Sequence, residues 1–375
     1  IKQINKKIKY IVRQFKESQK PVIILGGGIK YAKAEKNLNK FLKKFDIPIV
    51  STWSGVDLID HKEKKYIGNI GVYGSRAANF TIQNSDLILS LGSRLDTRVT
   101  GGVPKNFARK AKKIVIEIDK HELNKKRGLV IDYKVQENVK IFLDEFIKNN
   151  SDTISKKKWI DKCYLWKKKY PILQKVFFSD KKFVNPYVFI DDLSKKLTKK
   201  DIIIADDGGH LTWTIQAFKV KYGQKLFSAF GNSPMGYALP ASIGASIAKK
   251  KSKVICIDGD GSMLMHLGSL TSIASLKPTN FHHILLNNRA HESVGGQPTA
   301  AKEIDLSAII KALGTIKIFK AQTYEELKAN TSKFIRCCGP SFLEVEICLG
   351  SRKDLGRPTI KPSQNKKSFM RFLEK

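Results

Sequence analysis

Val254-Ile255-Cys256-Ile257-Asp258-Gly259-Asp260-Gly261-Ser262, followed downstream by Leu285-Leu286-Asn287-Asn288, is the stretch on which the reading of this chain turns. An apolar run of strand length stops at glycines, and a helical pattern follows from Ser262 to Leu276. Such a strand delivers Gly259-Asp260-Gly261 to the carboxyl edge of a sheet, where open α/β folds bind their ligands. The glycines let backbone approach phosphate oxygens, and the helix from Ser262 aims its positive N-terminus at them. A second strand ends in Asn287-Asn288, 28 residues from Asp260 to Asn288. Magnesium takes near-octahedral oxygen ligands and few protein groups when phosphates complete its shell. Asp260, Asn288 and the carbonyl of Ala290 are the natural three. His and Cys are absent from that set, as a hard cation requires. A lone Gly-Asp-Gly ends many strands; the ordered combination is the signal.

Outward from this segment the chain alternates strand-length and helix-length stretches, which implies parallel sheets with helices on both faces. Upstream, strands are expected at Pro21 to Leu25, Pro48 to Val50, Asp86 to Leu91 and Lys113 to Ile118. Helices are expected at Ala32 to Phe45 and Gln136 to Ile147. The second unit has expected strands at Ile202 to Ala205, Val254 to Ile257, His283 to Leu286, Ile316 to Phe319 and Phe342 to Ile347. Its helices fall at Pro186 to Leu197, Met235 to Ala248, Ser262 to Leu276, Asp305 to Leu313 and Tyr324 to Arg336. The predicted organisation is two α/β domains, each a doubly wound parallel sheet: 1–150 Rossmann-like, 151–184 a partly helical linker, 185–350 a cofactor-binding domain and 351–375 a polar tail. No internal repeat is apparent.

The strand, Gly-Asp-Gly-Ser, helix, strand, Asn-Asn order resembles the thiamine-diphosphate signature of acetolactate synthases and 2-oxo-acid decarboxylases. Asp207-Gly208-Gly209-His210-Leu211-Thr212-Trp213 resembles the acetolactate-synthase segment that touches the diphosphate. By that resemblance Gly208, Gly209 and His210 are cofactor contacts beside Gly259, Gly261 and Ser262, although a histidine at a helix start also serves simple packing. Gly231-Asn232-Ser233-Pro234-Met235-Gly236-Tyr237-Ala238-Leu239-Pro240 resembles the family stretch that supplies a wedge between the cofactor's rings. It implies Ser233 as a contact and Met235 as the catalytic wedge; a methionine there is otherwise plain packing. The bend it forces sets the aminopyrimidine nitrogen beside C2 of the thiazolium, so the cofactor's own base removes that proton and the ring acts as electron sink.

The first domain looks like the central domain of acetolactate synthase, most closely along Asn84 to Gly101. That family holds a flavin there, which implies Gly27, Arg94, Arg98 and Asp119 around an FAD or ADP-like group; many relatives keep the domain empty. Beyond Ser262, Asn287 to Thr299 is similar instead to phosphonopyruvate decarboxylase, with Arg289 where a glycine is usual, and implies His291 and Glu292 as cofactor contacts. Arg352 to Thr359 resembles the same family. The resemblances together imply a thiamine-diphosphate- and Mg2+-dependent enzyme decarboxylating a 2-oxo acid with carboligation. The alternatives are simple decarboxylation of an anionic oxo acid of phosphonopyruvate type, or a non-catalytic cofactor-binding subunit or fragment. Both families carry a pyrimidine-binding domain with an essential glutamate, and no segment here matches it. The start at Ile1 favours a fragment, with that domain in a preceding segment or another subunit. Active sites of the family form between chains, which implies a homodimer or tetramer.

The formal charge of +35 invites a nucleic-acid reading. Lysines dominate and are scattered, as at Lys6-Lys7, Lys43-Lys44 and Lys167 to Lys169, without the clustered Arg and aromatics that read bases. Neither nucleic acid nor a membrane is an expected partner: no run approaches the ~18 apolar residues of a span, and no secretory signal is visible. The 5 cysteines show neither metal spacing nor an even framework, which fits a reducing cytoplasm.

Overall fold

A computed structural model describes residues 2–178, 183–349 and 362–374. Two compact units emerge, one holding residues 2–55 and 64–170, the other 56–63 together with the described residues from 171 to 349. Each is built on a six-stranded parallel sheet with flanking helices.

In the first unit the strands are Pro21–Leu25, Ile49–Ser51, Tyr66–Asn69, Leu87–Leu91, Lys112–Glu117 and Tyr133–Gln136. Their spatial order is third, second, first, fourth, fifth, sixth, the doubly wound order expected when the chain winds outward from its first strand in both directions. Pro21–Leu25 and Leu87–Leu91 are buried along their whole length; the first reads as an unbroken apolar run and the second as one interrupted only by Ser90. The helix Lys157–Lys169 adds Trp159 and Cys163 to this unit's core, and the Trp159 indole donates to the Pro21 carbonyl at 3.2 Å.

The second sheet runs Lys225–Phe227, Ile202–Ala205, Val254–Gly259, Phe281–Asn287, Ser341–Glu346, Lys317–Ala321. The chain leaves its first strand, Ile202–Ala205, for one edge and then returns past it to Val254–Gly259 on the other side. That reversal is a topological switch point, and it opens a crevice at the carboxyl ends of those two strands. Val254 pairs with Ile202 on one side and Phe281 on the other, so residues 206–208, 259–261 and 287–288 finish at one edge.

Several boundaries differ from the sequence reading. The helix expected over Met235 to Ala248 starts only at Ala238, because Ser233 and Gly236 hold left-handed backbone at φ 52° and 87°; Met235 therefore sits on an irregular segment. The helix expected over Ser262 to Leu276 is two, Asp260–Met265 and Ser269–Leu276, parted at His266 to Gly268. Tyr66–Asn69, Tyr133–Gln136 and Lys225–Phe227 are strands without the apolar runs that make others legible. Within the range expected as a linker lie the short strand Ile154–Ser155, the helix Lys157–Lys169 and a 3₁₀ turn Lys175–Phe178. Of the expected tail, 362–374 is described, with a helix at Pro362–Leu373; Arg352 to Thr359 lies outside the described residues. No described helix is long and apolar enough to cross a membrane.

Candidate functional site

The switch-point edge of the second sheet gathers most residues singled out by the sequence. Asp260 opens its helix and is 2% exposed. Its carboxylate accepts a hydrogen bond from the Thr299 hydroxyl, and the Asn288 main-chain N–H lies near enough to favour its charged form. Two adjacent strand ends thus bring Asp260 and Asn288 together. No Lys or Arg among the described residues pairs with this carboxylate. Burial pushes its pKa up, and the Thr299 hydroxyl, nearby N–H groups and His291 only partly oppose that. A buried carboxylate without a cationic side chain is a site that a bound cation would stabilise.

Asn288 is held by its own loop. Its Nδ2 donates to Glu292 at 2.9 Å, which leaves the amide oxygen to accept the Ala290 N–H at 3.1 Å. Glu292 therefore orients an expected metal ligand. Ala290–His291 pairs antiparallel with Gln297–Pro298, and the Thr299 N–H closes this hairpin on the Arg289 carbonyl at 3.0 Å. The hairpin is what carries Thr299 back to Asp260. Arg289 adopts φ 58° and ion-pairs with Glu346 at 3.0 Å.

The glycines line the crevice. Gly208 has φ 146°, a conformation side chains rarely adopt. A methyl on Gly208 or Gly259 would meet the His210 imidazole at 2.6 Å, and one on Gly261 would meet His291 at 2.7 Å and Met235 at 3.2 Å. Met235 and His291 thus stand over Gly261, and His210 lies between Gly208 and Gly259. Burial pulls the His210 pKa down to about 4, despite the neighbouring Asp258. The ring is neutral near pH 7, and its Nε2 has no partner among the described residues. It can offer a hydrogen bond to an anion but not a full charge. The Ser262 hydroxyl donates to the Asp207 carbonyl at 3.0 Å, tying the turn at Gly208 to the turn at Gly261. Ser233 is half-buried on the segment before Met235.

Sequence reading passed over Asp206. Fully buried, its carboxylate accepts from the N–H groups of Asp207 at 2.6 Å, Gly236 at 3.0 Å and Ala238 at 2.7 Å. It anchors the Met235 segment to the Gly208 turn. Burial, then the charge of Asp258, pushes its pKa up to about 7. Thr299 was passed over too, since a threonine at a hairpin end carries no signature of its own. The one available sign for Asp206 was an acidic residue at the end of an otherwise apolar strand.

In the first unit the expected flavin residues are differently placed. Asp119 caps the helix Lys120–Asn124 through the N–H groups of His121 and Glu122, and Arg94 pairs with Asp96 and Glu122. The Arg98 guanidinium lies 4.8 Å from the Trp53 ring centre, and Gly27 faces Ser54.

Comparison with known proteins agrees with both units. Residues 8–146 match the family described as thiamine pyrophosphate enzyme, central domain, and residues 206–345 match thiamine pyrophosphate enzyme, C-terminal TPP binding domain. The acetolactate synthase large subunit of Cyanidium caldarium is 29% identical over 394 residues, covering 99% of this chain and 63% of that protein. The probable acetolactate synthase large subunit of Methanococcus aeolicus is 32% identical over 288 residues, covering 73% of this chain and 47% of its own length. The mitochondrial acetolactate synthase catalytic subunit of Saccharomyces cerevisiae is 29% identical over 351 residues, or 88% and 50% of the two chains. The chain therefore spans about half to two thirds of the length of these relatives. Two parallel six-stranded sheets, a Gly-Asp-Gly edge facing an Asn-Asn edge, and both domain matches lead to one conclusion: the chain belongs to the thiamine pyrophosphate enzymes, of which it carries the central domain and the C-terminal TPP-binding domain.

Proposed function

We propose that this chain binds thiamine diphosphate through Mg2+ and takes part in decarboxylating a small 2-oxo acid, with transfer of the retained fragment to a second oxo acid as in acetolactate synthases. The observation that carries the reading is the buried Asp260 carboxylate, without a cationic partner among the described residues and joined to Asn288 at the switch point. Asp260, the Asn288 amide oxygen and the Ala290 carbonyl would hold the cation, an all-oxygen set suited to magnesium.

The cofactor, when bound, supplies an acidic carbon and an electron sink for loss of CO2. The chain's own residues supply position and dryness. Gly208, Gly209, Gly259 and Gly261 let backbone meet the phosphates, Ser262 locks the two turns, and His210 gives a neutral hydrogen bond. His291, near Asp260 and over Gly261, adds a polar contact, while Glu292 fixes the Asn288 amide. Ser233 and Met235 shape the bend, and Asp206 holds their segment against the phosphate turn.

The relatives' names favour carboligation, whereas the Ser293 to Thr299 loop and the lysine excess favour an anionic substrate of phosphonopyruvate type. The proposed partners are a second copy of the chain and a glutamate-bearing pyrimidine-binding domain, in a cytoplasmic setting. A flavin in the first unit rests on the resemblance alone, and no step is assigned to it. Calorimetric titration with thiamine diphosphate, with and without Mg2+, tests the binding; saturable binding lost on chelation is expected, and metal-independent binding sinks the reading. With the pyrimidine-binding domain supplied, pyruvate should yield acetolactate. Acetaldehyde alone would point to simple decarboxylation, and cofactor binding without CO2 release to a non-catalytic role.

A further inference from the structure

Behind the cofactor edge, the second sheet holds a set of buried donors that the proposed reaction does not use. Cys256 stands directly opposite His283 on the neighbouring strand, and Asp258, two residues after Cys256, shares its face of the sheet. Exposure is 0% for Cys256 and Asp258 and 1% for His283. One donor atom from each lies within 4.8 Å of the other two. Asp258 Oδ1 is satisfied by the Gly259 N–H at 2.9 Å. Its Oδ2 has no hydrogen-bond partner among the described residues, and neither ring nitrogen of His283 has one. His283 Nε2 and Asp258 Oδ2 do approach to 3.4 Å, close enough for an ion pair yet without the alignment of a hydrogen bond. The buried Ser242 hydroxyl, on the helix Ala238–Ala248, lies against the Cys256 thiol and is likewise unsatisfied.

Orphaned buried polar atoms are costly and uncommon in folded proteins. Four lie here on three elements, and a single cation would resolve three of them: Asp258 Oδ2, the Ser242 hydroxyl and one His283 nitrogen. The chemistry selects its class: a sulfur and an imidazole donor favour a borderline-soft ion such as zinc and disfavour magnesium. Charge balances as well, since a thiolate, a carboxylate and a neutral imidazole sum to minus two against a divalent ion. Geometry agrees. Two N or O ligands at ~2.0–2.1 Å on a tetrahedral zinc stand roughly 3.3–3.4 Å apart, the spacing already present between His283 and Asp258.

We propose that Cys256, Asp258 and His283 form a buried structural site for a zinc-class divalent cation, with the Ser242 hydroxyl as the nearest fourth group. Binding displaces the thiol proton to solvent and forms the metal–sulfur bond; no electron is transferred. The site is sealed, so the ion enters as the domain folds. It is separate from the all-oxygen set at Asp260 and Asn288 and does not depend on the proposed cofactor chemistry.

The test uses the whole chain, refolded with Zn2+ or Co2+, freed of loosely held metal and assayed by elemental analysis and absorption spectroscopy. Stoichiometric zinc is expected, with a thiolate-to-cobalt charge-transfer band in the cobalt form. Cys256→Ser should remove that band, and His283→Gln should lower bound metal at least about tenfold. Asp260→Ala should retain the zinc, even though it is expected to lose magnesium-dependent cofactor binding. A wild-type chain that refolds without retaining zinc overturns the proposal, as does a cobalt spectrum lacking the thiolate band. Zinc lost from Asp260→Ala but kept by Cys256→Ser would place the ion in the cofactor site and equally overturn it. The wild-type cobalt spectrum decides the matter even if a variant fails to fold.

Discussion

Two strand ends in this molecule carry clustered glycines at the carboxyl edge of a parallel sheet, and they use them differently. At Gly26-Gly27-Gly28 a methyl on Gly26 would lie 2.2 Å from the Gly92 carbonyl oxygen, and one on Gly28 would lie 2.9 Å from the Gly92 Cα. At the other end, methyls on Gly259 and Gly261 would meet the imidazoles of His210 and His291. Backbone fills the space at Gly26 and Gly28, while side chains fill it at Gly259 and Gly261. A side chain can turn aside for a ligand, whereas a strand end bonded to its neighbour cannot, as Gly26 is through its N–H to the Leu91 carbonyl at 2.9 Å. Identical composition therefore supports close chain packing in one place and, in the proposed reading, an opening for phosphate in the other. The carboxylates follow the same division: Asp206, Asp258 and Asp260 are buried at the second edge, while Asp96 and Asp119 at the first serve as helix caps.

The sharpest way to break this contrast is Asp260→Ala. Magnesium-dependent affinity for thiamine diphosphate should fall by two orders of magnitude or more, about 3 kcal/mol, while the melting temperature of the apo chain holds or rises as a buried charge disappears. Calorimetry and thermal scans read both; unchanged affinity would remove the functional side of the contrast.

Acid should separate the units next. Burial pulls His282 down to about 4, below the ordinary 6.5, so the folded state binds fewer protons than the unfolded one. The stability linked to this group is full above pH 6.5 and is lost as pH falls towards 4, at most about 3 kcal/mol. His210 acts in the same sense. The only histidine of the first unit, His121, is exposed. Asp206, its pKa raised to about 7, takes up its proton in the folded state over this range and partly offsets the two histidines. Denaturant unfolding at pH 7 and pH 5 should still show the second unit weakened, and His282→Gln should reduce that loss. Equal weakening of both units would contradict it.

Gly26→Ala forces backbone apart and should cost the first unit about 1–3 kcal/mol, with cofactor affinity per folded molecule unchanged. Thr299→Val removes the hydroxyl that steadies Asp260 and should weaken magnesium-dependent binding about tenfold. The smallest stability effect belongs to Met235→Ala. At 36% exposure its loss should shift folding by no more than about 0.5 kcal/mol; the wedge role instead predicts slower exchange of the cofactor's C2 proton, measured by NMR once the pyrimidine-binding domain is supplied.

Much of the fold was legible because central parallel strands are buried on both faces and so appear as largely apolar runs, unbroken at Pro21–Leu25 and interrupted only by Ser90 at Leu87–Leu91. Edge strands such as Lys225–Phe227 lack that run and escaped notice. Helix starts were misplaced where left-handed residues intervene, as before Ala238. Within the site, Gly-Asp-Gly and Asn-Asn stood out because each combines a strand end with a rare composition. Asp206 and Thr299 did not, since their roles depend on which distant N–H group or carboxylate they meet.

Local sequence determined that Asp260 and Asn288 would each sit at the end of a buried strand, because apolar runs and glycine breaks act over a few residues. Tertiary structure alone decided that these strands are neighbours, that the Ala290 to Pro298 hairpin returns Thr299 to Asp260, and that Cys256 faces His283. Strand order and register arise from packing whole helices against whole sheets, and no short stretch of chain encodes such pairings by itself.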